Sequence, residues 1–225
     1  MINSAIPSST VNTQIEVASP IKVPHRSATS IVKRFIDILG SLIGLLIVAV
    51  LFLPIAIAIK LDTTGPIFYG QARHGLMGKP FRMYKFRSMV DKADTMKSEI
   101  PNEAQGLIFK NKQDPRITRV GRFLRRTSLD ELPQFWNVLR GEMSLVGTRP
   151  PTSDEVAQYS DYHWQRLSVK PGLTGEWQVN GRSKVKDFEE IVLLDLRYQS
   201  LWTPIYDLVL ILKTIQVILA RDGAF

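Results

Sequence analysis

Ile38 to Ile59 is a run of 22 residues without a single charge, and no other feature restricts the fold of this chain so severely. A helix of about 20 apolar residues crosses the hydrocarbon core of a bilayer, so one reading is a membrane-spanning anchor. Pro54 lies inside the run. There it deletes a backbone hydrogen bond and crowds the preceding turn, and in lipid the freed carbonyl needs another partner. Basic residues also flank both ends, with His25, Arg26, Lys33 and Arg34 before it and Lys60, Arg73, Lys79, Arg82, Lys85 and Arg87 after it. Positive charge beside a membrane segment favours the cytoplasmic side, so a spanning helix would strand one flank. A helix that kinks at Pro54, dips in and returns to the same face satisfies both. Re-entry over residues 31–62 is therefore the expectation, and Gly40, Ser41 and Gly44 would let another helix pack closely on its first half.

The remainder divides around that run. Residues 1–30 are rich in Ser, Thr and Asn without periodicity and read as a disordered polar tail. They make a poor secretory signal, because the apolar run starts late and no small-residue cleavage site follows it. Leu201 to Ala220 is rich in Ile and Leu but carries Asp207 and Lys213, with Trp202 and Tyr206 near its start. That composition suits a helix lying in the membrane interface, although a core helix has the same periodicity. At 225 residues the chain has room for one domain. Its net charge of +8 calls for an anionic partner: nucleic acid, an anionic lipid surface or a phosphorylated substrate. With no Cys, disulfides, thiolate metal sites and Cys nucleophiles are all excluded.

Between the two apolar segments, Pro66–Tyr69 and Phe81–Phe86 are β-prone runs separated by Gly75 and Gly78, which predicts a hairpin. Residues 91–115 read as a polar helix followed by a loop that closes on Asp114-Pro115. Arg119, Arg122, Arg125 and Arg126 then crowd together, and in a helix Arg119, Arg122 and Arg126 share one face. Such a cluster is either a solvated basic surface or a phosphate clamp built from bidentate guanidinium groups.

Ser128 and Glu131 form an S-x-x-E box, which predicts a helix start with Pro133 tolerated near it. In that helix Leu129, Leu132, Trp136 and Leu139 make an apolar stripe, and Asp130, Gln134 and Asn137 a polar one. Asp130 and Glu131 have an ordinary explanation, since carboxylates suit a first helical turn. They also follow four arginines at a helix start, a place that attracts anions. A carboxylate held there could act as a nucleophile toward phosphorus, as a Mg²⁺ ligand or as a proton acceptor. Gly147-Thr148-Arg149-Pro150-Pro151 would present Arg149 rigidly. Two Gly-rich loops, Lys170 to Gly175 and Gln178 to Arg182, add Gln178 and Arg182 to the candidate contacts. Asp195, among leucines in a predicted helix, is either a surface residue or the buried partner of one of these arginines.

Phe81 to Met89, Asp114-Pro115-Arg116, Thr127 to Gln134, Gly141 to Pro151 and Lys170 to Arg182 occur in this order. Together they closely resemble the bacterial sugar transferase family, the monotopic polyprenyl-phosphate phosphoglycosyl transferases, from about Val32 to Arg221. The resemblance implies a re-entrant helix, interfacial amphipathic helices, a UDP-sugar donor, undecaprenyl phosphate as acceptor, Mg²⁺, and a place on the cytoplasmic face of the bacterial inner membrane. It implies Asp130 as the nucleophile and Glu131 as its partner, and the Mg²⁺ would fall to the same two carboxylates. Lys85, Arg125 and Arg149 match positions that contact phosphate and nucleotide, and Asp195 matches a further acidic position. This chain departs from the family pattern in having Leu53 before the membrane proline and Thr148 where a proline is usual. Larger members carry extra transmembrane helices ahead of this domain, so a minimal form is expected.

The expectation is an α+β, mainly helical protein: a tail over 1–30, a kinked re-entrant membrane helix over 31–62, and one cytoplasmic-face catalytic domain over 63–225 with a small β-hairpin and an interfacial C-terminal helix. Two rival readings are a membrane-tethered nucleic-acid binder and a non-catalytic scaffold for polysaccharide assembly. The first lacks any recognisable nucleic-acid motif, and its aromatics fall on apolar stripes, so no nucleic-acid partner is expected. The second leaves the acidic pair without a purpose. The identity of the sugar and the oligomeric state, a homodimer included, are left open.

Overall fold

The computed structural model describes residues 20, 21, 23–181 and 185–220, so most of the expected tail, together with Arg182, lies outside the described residues. The end of the stretch read as tail is built into the fold. There α1 (Arg26–Thr29) forms one helical turn, and the Arg26 guanidinium sits over the Trp202 ring while donating to the Trp202 carbonyl at 2.9 Å.

The apolar run forms α2 (Ile31–Asp62), a single helical element of 32 residues that passes through Pro54. At 1.5 Å per residue it is about 48 Å long. Ser30 caps its start by accepting from the Lys33 amide. The same domain grips the helix at both ends. Near the start, Asp37 is buried and accepts from the Ser144 hydroxyl at 2.8 Å and the Leu145 amide at 2.9 Å. Near the finish, Arg87 donates to the carbonyls of Thr63 and Thr64 at 2.7 and 2.6 Å, and Asp62 accepts from the Val120 amide at 2.9 Å. Close packing is present at both glycines, against a helical residue at Gly44 as expected but against a strand residue at Gly40. A Cβ on Gly40 would lie 2.5 Å from a Leu145 methyl, and one on Gly44 would lie 2.3 Å from the Phe135 ring. One side of α2 stays uncovered, with Phe35, Leu46, Val50 and Leu53 all exposed. Among the described residues it is the one helix long and apolar enough to cross a membrane.

The predicted hairpin is β1 (Phe68–His74) paired antiparallel with β2 (Pro80–Phe86), with Tyr69 opposite Lys85 and Gln71 opposite Met83. A 3-10 turn at Leu76–Gly78 joins them, with Met77 and Gly78 at positive φ. A longer 3-10 helix, Ala93–Glu99, then leads into a loop, a tighter version of the helix and loop expected over 91–115. The arginine cluster forms α3 (Arg119–Arg126), capped by the Thr118 hydroxyl.

After α3 the structure corrects the sequence reading. Ser128 is left-handed at φ 57° and its side chain does not cap; Leu129–Glu131 is a single 3-10 turn, and α4 (Gln134–Arg140) begins only after Pro133. Pro133 lacks the N–H that an α-helix starting at Ser128 would require of it, so the chain makes a tight turn and restarts. Leu129 and Leu132 still pack as foreseen, in a cluster with Leu51 and Phe52 of α2 around Ile55, Ile59, Phe86 and Leu124. Trp136, however, is 47% exposed, and Phe135 takes its place against α2. Asn137 is fully buried and joins α4 to β2, donating to the Arg82 carbonyl and accepting from the Tyr84 amide.

A second sheet escaped the sequence reading. β3 (Ser144–Val146) pairs in parallel with β4 (Gly172–Thr174). The crossover holds α5 (Ser153–Val156), α6 (Asp161–Trp164) and a 3-10 turn, Gln165–Ser168. Gly147 of the Arg149 segment meets Gly172 of the first Gly-rich loop here: a Cβ on Gly172 would sit 2.1 Å from the Gly147 nitrogen, and one on Gly147 would sit 2.2 Å from the Lys170 carbonyl oxygen. The chain ends in α7 (Glu176–Val179), α8 (Phe188–Leu201) and α9 (Pro204–Ala220). Leu210 of α9 is buried in the main core with Met83, Val138, Val146 and Tyr198, whereas Ile205, Leu208, Leu212, Ile215 and Ile218 are exposed.

Candidate functional site

A cavity of about 560 Å³ opens between the hairpin, the 129–131 turn, the loop at 107–111 and α7. Lys85, Arg125, Asp130, Glu131, Arg149 and Gln178 all line it, although they come from five separate places in the chain. Asp130 is 5% exposed at the tip of its 3-10 turn. Next to it Glu131 accepts from the Lys85 ammonium at 2.9 Å, with both side chains about a quarter exposed. Pro133 and the left-handed Ser128 bracket this turn, so its two carboxylates are fixed by backbone geometry as well as by partners.

The arginine cluster divides. Arg119, Arg122 and Arg126 do share a face of α3, as expected, but that face is exposed to the surroundings. These three lie outside the cavity. Arg125 alone turns into the cavity, where its Nε donates to the Ser88 hydroxyl at 3.1 Å. Its position follows from Gly121, whose absent side chain lets α3 lie against the Ser88 backbone; a Cβ there would be 1.9 Å from the Ser88 carbonyl oxygen.

Arg149 is presented from the Gly147–Pro151 loop as expected, but it is held bidentately by Glu155 at 2.7 and 3.0 Å. Burial would lower the Arg149 pKa, yet the Glu155 charge outweighs it and leaves it raised. Glu155 responds in kind: burial raises its pKa, but Arg149 brings it below the ordinary carboxylate value. Thr148, the departure from the family pattern, is buried and donates to the Arg166 carbonyl at 3.2 Å.

Asp195 does not line the cavity. It is buried in α8 and paired with Arg166 at 2.6 and 2.7 Å, each side chain 1% exposed. The buried-partner reading therefore holds, but with an arginine that the sequence did not single out. Arg166 in turn donates to the Arg149 carbonyl at 3.4 Å, and Asp195 itself accepts from the Arg149 backbone amide, so this buried pair holds the cavity wall from behind.

The sequence reading also missed one whole wall. Strand side chains alternate between faces, which places Tyr69, Gln71 and Arg73 of β1 on the side occupied by Lys85. Tyr69 donates to the Asp94 carboxylate at 2.7 and 2.9 Å, and burial followed by that carboxylate raises its phenol pKa. Trp177 forms part of the opposite wall, with the Lys110 ammonium 5.3 Å and the Arg149 guanidinium 5.9 Å from its ring centre. Counting outward in steps of two from Lys85 and its cross-strand partner would have found the β1 residues. Trp177 gave no such signal.

The profile of the family described as bacterial sugar transferase matches residues 28–221. The galactosyl transferase CpsE of Streptococcus agalactiae is 50% identical over 196 residues, covering 86% of this chain and 43% of its own length. The undecaprenyl-phosphate galactose phosphotransferase of Salmonella typhimurium is 44% identical, with 89% of this chain and 43% of the relative covered. The chain thus spans less than half the length of these two relatives. The exopolysaccharide production protein ExoY of Rhizobium meliloti is 37% identical over 92% of this chain and 96% of its own length.

Proposed function

Since the chain belongs to the bacterial sugar transferase family, we propose that it transfers a sugar-1-phosphate from a UDP-sugar to undecaprenyl phosphate, releasing UMP and starting a polysaccharide or other glycoconjugate. The observation that carries this reading is the Asp130–Glu131 turn, set beside Lys85 and Arg125 in one cavity on the flank of α2. An Asp130 oxygen attacks the β-phosphorus of the donor, the bond from that phosphorus to the oxygen bridging to the α-phosphate breaks, and UMP leaves. An oxygen of the lipid phosphate then attacks the same phosphorus, freeing Asp130 and forming the polyprenyl diphosphate sugar. Splitting the transfer in this way spares the site from holding two bulky anionic substrates at once. Lys85 and Arg125 offset the charge of the transferring phosphoryl group, and Glu131, held by Lys85, orients the lipid phosphate.

The carboxylates suit Mg²⁺ only in a particular mode. Among the described residues no group of three or more His, Asp or Glu forms a ready-made metal cage. Mg²⁺ commonly takes one or two carboxylates from a protein and the rest of its ligands from substrate phosphate and water. Asp130 and Glu131 fit that mode, and the ion would add Lewis-acid polarisation of the diphosphate.

The grip of the domain on α2 supports re-entry. A helix crossing a hydrocarbon core of about 30 Å would leave its ends on opposite sides, yet Asp37 near one end and Asp62 at the other bond to the same domain. The uncovered faces of α2 and α9 then meet lipid on the cytoplasmic side of the inner membrane, with Pro54 as the point where α2 bends. With cysteines placed singly at Ser9 and Lys79, an impermeant thiol reagent is expected to label neither in intact cells and both in inverted vesicles. Labelling of just one in intact cells would contradict re-entry.

The activity is tested by incubating purified protein with undecaprenyl phosphate and a panel of UDP-sugars. UMP release that depends on Mg²⁺ and on one donor is the expected result, and the productive donor identifies the sugar. No UMP from any donor would overturn the reading.

A further inference from the structure

The charges behind the cavity do not cancel. Three arginines (Arg73, Arg149 and Arg166) cluster there with two carboxylates, Glu155 and Asp195. Glu155 pairs with Arg149 and Asp195 pairs with Arg166. Arg73 is left over. Its Nε and one terminal nitrogen donate to the Gln71 amide oxygen at 3.0 and 2.7 Å, and the other terminal nitrogen donates to the Pro150 carbonyl at 2.7 Å. All these acceptors are neutral, and among the described residues no carboxylate lies within the 4.0 Å of an ion pair with Arg73. Burial, then the nearby Arg149, lowers the Arg73 pKa to about 10.

A cation in such a place is costly unless an anion joins it, and the side chain is not sealed away. Arg73 is only half-buried, and it lines the cavity. Its neighbours there are Arg149 and, through Arg149, the ring of Trp177. Arg73 lies four residues along β1 from Tyr69, the partner of Lys85, about 13 Å measured along the strand, yet its side chain reaches back far enough for Glu131, which pairs with Lys85, to act on its charge. A guanidinium without an anion, a second guanidinium beside it and an aromatic surface form the complement of a nucleoside monophosphate, since bases stack on aromatic rings.

We propose that Arg73 is a substrate-binding residue that, together with Arg149, receives the phosphate of the departing nucleotide, with Trp177 beside its base. The proposal rests on the donor reading given above. In catalysis, the β-phosphorus lies at Asp130 while the α-phosphate lies at Arg73. When the β-phosphorus–oxygen bond breaks, the electron pair moves to the UMP oxygen, and Arg73 offsets that developing charge.

The test is titration of UMP, and separately of uridine, into purified full-length protein in detergent at low salt, followed by calorimetry. Arg73→Gln is expected to weaken UMP binding tenfold or more while leaving uridine binding within about twofold of wild type, because only the phosphate contact is lost. Arg73→Lys should recover part of the UMP affinity, since it restores the charge without the planar fork. Equal UMP binding by wild type and Arg73→Gln would overturn the proposal. So would an equal loss of UMP and uridine binding, which marks a structural defect, or an increase confined to the KM for undecaprenyl phosphate, which would assign Arg73 to the lipid. Turnover of a UDP-sugar with no effect of Arg73→Gln would sink this inference alone. Absence of turnover in the wild type would sink the donor reading instead.

Discussion

Replacing Asp130 with asparagine is expected to lower sugar-phosphate transfer by about 10³-fold or more, the scale on which enzymes respond to loss of a covalent nucleophile. The amide keeps the shape of the carboxylate, so the 3-10 turn at Leu129–Glu131 should survive. It cannot attack phosphorus, and it also removes one negative charge from a cavity that receives a diphosphate. Donor affinity should therefore hold or improve while turnover collapses. A rapid quench with radiolabelled UDP-sugar and no acceptor separates chemistry from binding: wild type should retain label on the protein with release of an equal amount of UMP, and Asp130→Asn should retain none. Glu131→Gln makes the contrast. It breaks the ion pair with Lys85 but leaves the nucleophile, so label should still appear, more slowly, and its transfer to the lipid should suffer most. Labelling of Asp130→Asn at the wild-type rate would show that the nucleophile lies elsewhere.

What made Asp130 and Glu131 legible was local. Two carboxylates beside four arginines stand out in a sequence, and so does an uncharged run of 22 residues. The hairpin was legible for the same reason, because alternation and glycines lie within a few residues of each other. The features that escaped depend on partners distant in the chain. β3 and β4 are three residues each, too short for alternation to register, and what fixes them is the contact between Gly147 and Gly172. Asp195 and Arg166 are 29 residues apart, and Arg166 has no motif around it. Arg149 was foreseen as a phosphate ligand, but its engagement by Glu155 was not, because an acid six residues on looks like any surface acid. The misread cap is instructive in another way. Ser128 to Glu131 meets the pattern for a helix start, but Ser128 is left-handed and the helix begins only after Pro133; the arginine face of α3 was read correctly in geometry, and it lies outside the cavity.

The largest effect on stability should come from Asp207, which the sequence presented as a polar interruption of an interfacial helix. It is 2% exposed. One carboxylate oxygen accepts from the Lys33 ammonium at 2.6 Å and from the Trp202 indole at 3.1 Å, and the other accepts from the Tyr198 hydroxyl at 2.8 Å. Lys33 in addition donates to the Val146 carbonyl at 2.9 Å, so this cluster ties the start of α2 to α9 and to β3. Removing one charge of such a pair strands the other in a dry setting, at a cost of about 3–5 kcal/mol. Asp207→Leu or Lys33→Met should therefore lower the midpoint of thermal inactivation by roughly 6–20 °C, at the few degrees per kcal/mol usual for a domain of this size. The double substitution should recover much of the loss, because apolar packing often replaces a buried ion pair without penalty. A double variant no more stable than the weaker single one would show that α9 is held by something else. The effect should also reach the cavity: Val146 is followed directly by Gly147 and the loop carrying Arg149. Loosening its carbonyl should raise the KM for the donor before it alters kcat, and the single variants measured well below their inactivation midpoints would reveal that order.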